Sequence, residues 1–231
     1  MSIKQHYILI LISLLFLLPQ SHAKLIKRDN KQGLLSTVRE NKDDQHINIQ
    51  TLTVDENVNV PIVESPLAHR KIREYMAEQE KSLQKLKQYG VSHVELLRGS
   101  EVMKITIPME KLFYQNSTKL LPKSELLMRP IARYGETLGM YHILIVAHSD
   151  NTGSIEYNLN LTISRAEALY DNLKQLGINT NEIVTYGMGG ESPVTDNFTM
   201  ENRQKNRRVE IYLIPGEEMI KLSLKGRLEV K

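Results

Sequence analysis

The stretch "YHILIVAHSDNTGSIEYNLNLTISRAEALYDNLKQLG", residues 141–177, decides the fold. Its first nine residues are almost continuously apolar, which suits a central strand covered on more than one side. Further on, Ala166, Leu169, Leu173 and Leu176 recur at i, i+3, i+7 and i+10, the spacing of one helical stripe, and Gly177 stands where a helix stops. Thr162 reads as the N-cap of that helix, with Leu161 and Ala166 at the positions of a hydrophobic staple. Arg165 is then predicted in the first turn. Asp150 lies just past the strand. A strand–loop–helix unit brings those two places together, so the acid and the base are expected to face one crevice. Asn158 and Asn160 add amide groups there, and free N–H groups at the helix start favour an anion. A fixed carboxylate beside a fixed guanidinium suits a ligand bearing both an ammonium and a carboxylate, as a free amino-acid end does. The plain alternative is a salt bridge between Asp150 and Arg165 that caps the helix.

Outward from this unit, strands and helices alternate. "EVMKITIP" (101–108) sets Met103, Ile105 and Ile107 against Val102, Lys104 and Thr106, predicting a strand with one buried face. "PKSELLMRPIARYGETLG" (122–139) reads as a helix opening at Pro122, kinked or broken at Pro130. "EIVTYGMGGESPV" (182–194) is a short strand running into a glycine turn, and "RRVEIYLIP" (207–215) alternates again as the last strong strand. The tail 216–231 has Ile220, Leu222, Leu224, Leu228 and Val230 at alternate positions and reads as a possible edge strand. The order β-α-β-α-β-β predicts an α/β two-layer sandwich, with helices on one face of a small mixed sheet.

Ahead of residue 100 the pattern changes. Residues 66–99 read as an amphipathic helix over 67–89 and a connection, with Ile72, Met76, Leu83 and Leu86 near one stripe and Gly90 at the stop. This helix is the expected meeting place for other envelope proteins. Residues 24–65 are charged and poor in apolar side chains, which predicts a low-order linker. Residues 1–23 carry one charge, Lys4, then an apolar run ending in Ser21-His22-Ala23, the pattern of a cleaved secretory signal peptide. Removing them leaves 208 of the 231 residues and lowers the formal charge from +3 to +2, so bulk attraction to nucleic acid is not indicated. There is no cysteine in this exported chain, hence no disulfide framework and no thiol chemistry. His148 and Asp150 alone make no metal site, and Ser149 lies in no nucleophile elbow. No cofactor, metal or catalytic residue is expected.

Three motifs, "AHSDNTGSIEYNLNLTISRAEAL", "YGMGGESPV" and "NRRVEIYLIP", closely resemble the OmpA-like peptidoglycan-binding domain in order and spacing, over roughly residues 100–215. The family's G-H-T-D is Ala147-His148-Ser149-Asp150 here. Its L-S is Leu161-Thr162, and its glycine turn carries one extra glycine. The resemblance implies non-catalytic binding of the diaminopimelate in peptidoglycan stem peptides, tethering an envelope component to the wall. It implies that Asp150 holds the ammonium and Arg165 the carboxylate, with Asn158 supporting loop and ligand. Ser149 and Leu161 occupy motif positions beside them, and Arg207 lines the pocket. A periplasmic or outer-membrane-associated location in a Gram-negative-type bacterium follows from the same resemblance. The alternative is an envelope scaffold whose OmpA-like fold serves mainly protein partners.

Overall fold

The computed structural model describes residues 65–229. The expected signal peptide, nearly all of the expected linker and the last two residues of the tail lie outside them. Five strands form one sheet: β1 (His93–Leu97), β2 (Val102–Pro108), β3 (Tyr141–Ala147), β4 (Ile183–Gly187) and β5 (Arg208–Pro215). Their order is β1-β2-β5-β3-β4. Only β3 and β4 run parallel, and the helix α4 (Ile155–Gln175) makes the crossover between them. The other helices are α1 (Pro66–Gln84), α2 (Met109–Leu112), α3 (Glu125–Ala132), α5 (Met200–Asn206) and α6 (Glu217–Leu224).

The core lies on one face of the sheet. Met103, Ile105, Val209, Ile211, Leu213, Ile143, Ile145 and Ala147 stand there with no exposure. On it, α4 covers β3 and β4 with Ala166, Leu169 and Leu173, while α1 packs against β1, β2 and α6. Burial of each such Leu or Ile contributes about 1.5–3 kcal/mol. The apolar stripe of α1 is spent inside the molecule: Ile72 and Met76 have no exposure, and Leu83 and, in the 3-10 turn that follows, Leu86 have almost none. Its outer faces are mainly charged, so an apolar partner has no stripe left to meet there.

Four expectations need correction. First, the sheet begins before residue 100, because β1 pairs antiparallel with β2 from His93↔Thr106 to Leu97↔Val102. Its sequence, HVELL, is too short and mixed to display an alternation. Second, the tail holds no edge strand over 217–224 but the helix α6. Met219, Ile220 and Ser223 are the buried positions, Leu224 is exposed, and Glu217 and Glu218 sit in the first turn, where the helix dipole favours acids. The alternate spacing of Ile220, Leu222 and Leu224 was coincidental. Third, β2 is buried on both faces: Val102 is 2 % and Lys104 6 % exposed. The strand lies between β1 and β5, and the Lys104 ammonium meets Glu95 of β1 at 3.0 Å. Fourth, α4 starts two turns earlier than predicted. Ser154 is its N-cap, accepting from the Tyr157 N–H at 3.1 Å, and Thr162 lies within the helix.

Between Pro122 and Gly135 the chain makes a 3-10 turn, then α3, then another 3-10 turn. Pro130 supplies no N–H to the ladder, and the regular helix ends two residues after it.

Candidate functional site

Antiparallel pairing of β3 with β5 sets the site. Ala147 stands opposite Val209, and the ladder continues with the His148 N–H donating to the Arg208 carbonyl at 2.9 Å. The two chains therefore run past the end of the sheet side by side, which brings Asp150 against Arg207. The Arg207 Nη1 donates to Asp150 Oδ2, and the Thr152 N–H donates to Asp150 Oδ1 at 2.7 Å. Burial pushes the Asp150 carboxyl up, but the Thr152 N–H and the Arg207 guanidinium together outweigh it and hold the group below the usual carboxylate range. Asp150 is buried, whereas the Arg207 side chain is 36 % exposed.

Arg165 comes from α4, three turns into the helix rather than at its start. No free helix N–H groups stand beside it. The geometry instead comes from the loop after α2. There Asn116 adopts a left-handed φ of 50°, and the Ser117 carbonyl accepts from Arg165 Nε at 2.9 Å. The guanidinium lies over the Phe113 ring, 5.5 Å from its centroid. Phe113 and the Ser117 carbonyl thus fix the root of the fork. Burial lowers the Arg165 pKa; the Tyr157 phenol opposes that, and the neighbouring Arg207 charge reinforces it. The alternative of an Asp150–Arg165 salt bridge gives way to two separate arrangements, Asp150 with Arg207 and Arg165 with Ser117. One carboxylate and two guanidiniums leave the site with a formal surplus of one positive charge.

The remaining sequence-derived residues support this centre. Asn158 donates through Nδ2 to the Thr152 carbonyl at 2.9 Å and the Asp150 carbonyl at 3.3 Å, holding the loop onto α4. Ser149 donates its hydroxyl to the Asp150 carbonyl at 3.0 Å, and its N–H to the Gly189 carbonyl at 2.7 Å. Leu161 is half-buried, on the helix stripe that also carries Asn158 and Arg165. Thr162, expected as a cap, accepts instead from the Gly189 N–H at 2.9 Å and so ties the glycine turn to α4.

That turn explains its glycines. A Cβ at Gly187 would stand 2.2 Å from the Ile163 nitrogen, because α4 crosses β4 with its backbone at contact. A Cβ at Gly190 would stand 2.8 Å from the Asp150 carbonyl oxygen. The extra glycine thus lets the turn close against the Asp150 loop.

Behind the site, Glu210 binds three partners. Arg208 Nε donates to its Oε1 at 2.8 Å, the Tyr212 hydroxyl donates to its Oε2 at 2.7 Å, and His148 Nε2 lies 3.3 Å from Oε2. Arg208 also donates to the Ser192 carbonyl at 3.2 Å. This buried network braces β5, where Arg207 is attached. Sequence reasoning reached Arg207 but not its partner. It had no signal for the Ser117 carbonyl or the Thr152 N–H, because main-chain groups leave no mark in a residue pattern.

Among the described residues no helix is long and apolar enough to cross a membrane. The OmpA family matches residues 112–207, the span that holds the Arg165 loop, β3, α4 and the Arg207 position. Outer membrane protein A of Bordetella avium is 31% identical over 111 residues, 48% of this chain and 57% of that protein. Peptidoglycan-binding protein ArfA of Mycobacterium bovis is 33% identical over 99 residues, 43% of this chain and 30% of that protein. The chain thus spans little more than half the length of the first relative and under a third of the second. A MotB-like protein from Desulfovibrio vulgaris shares the fold at a TM-score of 0.51, with 20% identity, over 62% of this chain and 95% of that one. The resemblance carried by the sequence motifs thus stands as a match to the OmpA family over residues 112–207.

Proposed function

We propose that this protein binds peptidoglycan without catalysis and tethers an envelope component to the cell wall. The ligand group is the zwitterionic end of a diaminopimelate residue in the stem peptide. The observation that carries this reading is the convergence of Asp150, Arg165 and Arg207, one carboxylate and two guanidiniums, at the end of β3 and β5. Arg165 offers the free end of a planar fork already fixed at its root, which suits a carboxylate held through paired N–H donors. Asp150 has two of its acceptor positions filled by Arg207 and Thr152 and retains others for an ammonium. A ligand with both charges leaves the site's net charge unchanged, whereas a simple amine would meet two guanidiniums. The OmpA family match over residues 112–207 and the relative named as peptidoglycan-binding support the polymer as the ligand's source. The location that goes with this reading is the periplasm or the inner surface of the outer membrane.

Co-sedimentation of the full chain with purified sacculi tests it. Free diaminopimelate should release the protein, and diaminopimelate acetylated on the free-end amine should not. Equal competition by both would mean that Asp150 does not read the ammonium. Absence of sedimentation would overturn wall binding itself.

A further inference from the structure

The loop between β4 and α5 is held firmly yet presents bare apolar side chains. Asn206 has no exposure, and its carboxamide oxygen accepts from the Val194 N–H at 2.9 Å and the Thr195 N–H at 3.1 Å. Its amide nitrogen donates to the Thr195 carbonyl and to Asn197 Oδ1, each at 2.9 Å. Arg203 Nη1 donates to the Asn197 carbonyl at 2.8 Å and the Phe198 carbonyl at 3.2 Å. With its backbone so restrained, the loop leaves Phe198 89 % and Val194 59 % exposed, and Met200, the first residue of α5, is 74 % exposed. A single exposed apolar side chain calls for no explanation, but three within seven residues on a tied loop make a preorganised apolar knob. A backbone held in this way presents its side chains to a ligand at a smaller ordering cost.

The knob is continuous with the charged pocket. Asn197 Oδ1 accepts from the Asn151 N–H at 3.4 Å, next to Asp150. Asn206, which holds the loop, directly precedes Arg207, the partner of Asp150. A polymer anchored by one amino-acid end has to leave the pocket across its rim, and on the side of this loop the rim carries three exposed apolar side chains beside Asp196. We propose that Phe198, with Met200 and Val194, forms a second subsite that packs against the neutral part of the wall fragment beyond the anchored end. The matching groups are the C–H face of the amino sugar and the methyl groups of the neighbouring alanine. Such groups carry no charge, and they match the side chains of Phe198, Met200 and Val194, while the carboxylate of Asp196 is turned to the Phe198 N–H and Asn202. The inference rests on the wall-binding reading above and extends it from one amino-acid end to the chain attached to it.

Calorimetry on the full chain separates the two. Free diaminopimelate probes the charged pocket alone, and a muramyl peptide carrying the same residue probes pocket and knob together. The variant Phe198→Ala, made at an exposed position, should leave diaminopimelate affinity unchanged and weaken the muramyl peptide about 3- to 10-fold. Phe198→Tyr should restore most of that loss, since it keeps the ring. Unchanged affinity for both ligands would overturn the subsite and leave the knob to a protein partner. An equal loss for both would also overturn it, because the loop would then act only by positioning Asp150. If the wild type bound neither ligand, the wall-binding reading would fall first and the subsite with it.

Discussion

Asp150→Asn is the most informative change in the pocket. The side chain keeps its shape and loses its charge. In the wild type, Asp150 accepts from the Arg207 guanidinium on one oxygen and from the Thr152 N–H on the other, at 2.7 Å. An amide cannot do both. With its oxygen toward Thr152, its NH2 group faces the Arg207 donor; flipped, it leaves the Thr152 N–H unpaired. The cost to the fold is nevertheless small, about 1 kcal/mol or less, because Arg207 is over a third exposed and the charge pair is screened by solvent. The cost to binding is larger. The hydrogen bond from a ligand ammonium to a carboxylate is worth roughly 1.5–3 kcal/mol. Removing the charge also leaves Arg165 and Arg207 with no acid between them, so the ammonium is repelled. Together these predict a 10- to 100-fold loss of affinity, counting about 1.4 kcal/mol per decade. Sacculus co-sedimentation and the thermal midpoint, measured on the same preparation, separate the two costs. Retained binding with a midpoint lowered by many degrees would refute the reasoning, since Asp150 would then be a structural group and not a receptor for the ammonium.

Arg165→Lys keeps the charge but gives up both the planar fork and the fixed Nε contact to Ser117, so it should recover little of the affinity lost in Arg165→Ala; competition binding checks it. Gly190→Ala should weaken binding more than stability, since the added Cβ presses on the Asp150 carbonyl and moves that loop. Ile72→Ala, in the fully buried stripe of α1, should destabilise the domain by about 2–4 kcal/mol in denaturant titration, because α1 is part of the core and not an appendage. Burial holds the His148 pKa below its ordinary value against the pull of Glu210. Its neutral form is thus favoured by folding, and that stability is complete above about pH 6.5 and lost as the pH falls below it. Thermal midpoints should decline between pH 7 and pH 5, and His148→Asn should flatten the decline.

Periodicity carried most of the fold. The apolar run of β3, the stripe of α4 and the alternations of β2 and β5 each mark an element whose burial repeats with its own period. What escaped was short or ambiguous. HVELL offers five residues with one fully buried side chain, Val94, so β1 exists through pairing with β2 rather than through its own pattern. The segment after Gly216 fits a strand by spacing, but the first-turn glutamates and the buried pair Met219–Ile220 favour a helix. The start of α4 was misplaced because the stripe becomes apolar only near Leu161. Its first turns carry the exposed Glu156 and Tyr157 and the buried Asn158, which holds the Asp150 loop, and these break the amphipathic signal.

The same competition explains the charged site. Asp150 and Arg165 are close in sequence, which places them at one crevice and leaves a direct pair as the alternative. Yet the residue that neutralises Asp150 is Arg207, 57 positions away. No local rule predicts this contact. Strand order does: once β5 is known to lie antiparallel beside β3, with Ala147 opposite Val209, counting outward puts residue 149 across from residue 207. Arg165 is thereby spared. Its Nε is satisfied by a main-chain carbonyl from a third segment, and among the described residues no acid is paired with it. A binding site needs that asymmetry, because a guanidinium locked to an acid of its own chain would have to break that bond before gripping a carboxylate. Replacing Ser117 by Ala should leave binding intact, as the contact is to its carbonyl. Replacing it by Pro at the residue after the left-handed Asn116 should disturb the loop, since proline biases the preceding residue toward extended backbone. Arg165 would lose its anchor, and the midpoint of sacculus binding should move by about tenfold, roughly 1.4 kcal/mol. A proline variant that folds and binds at full strength would mean that the pocket orients Arg165 without this loop.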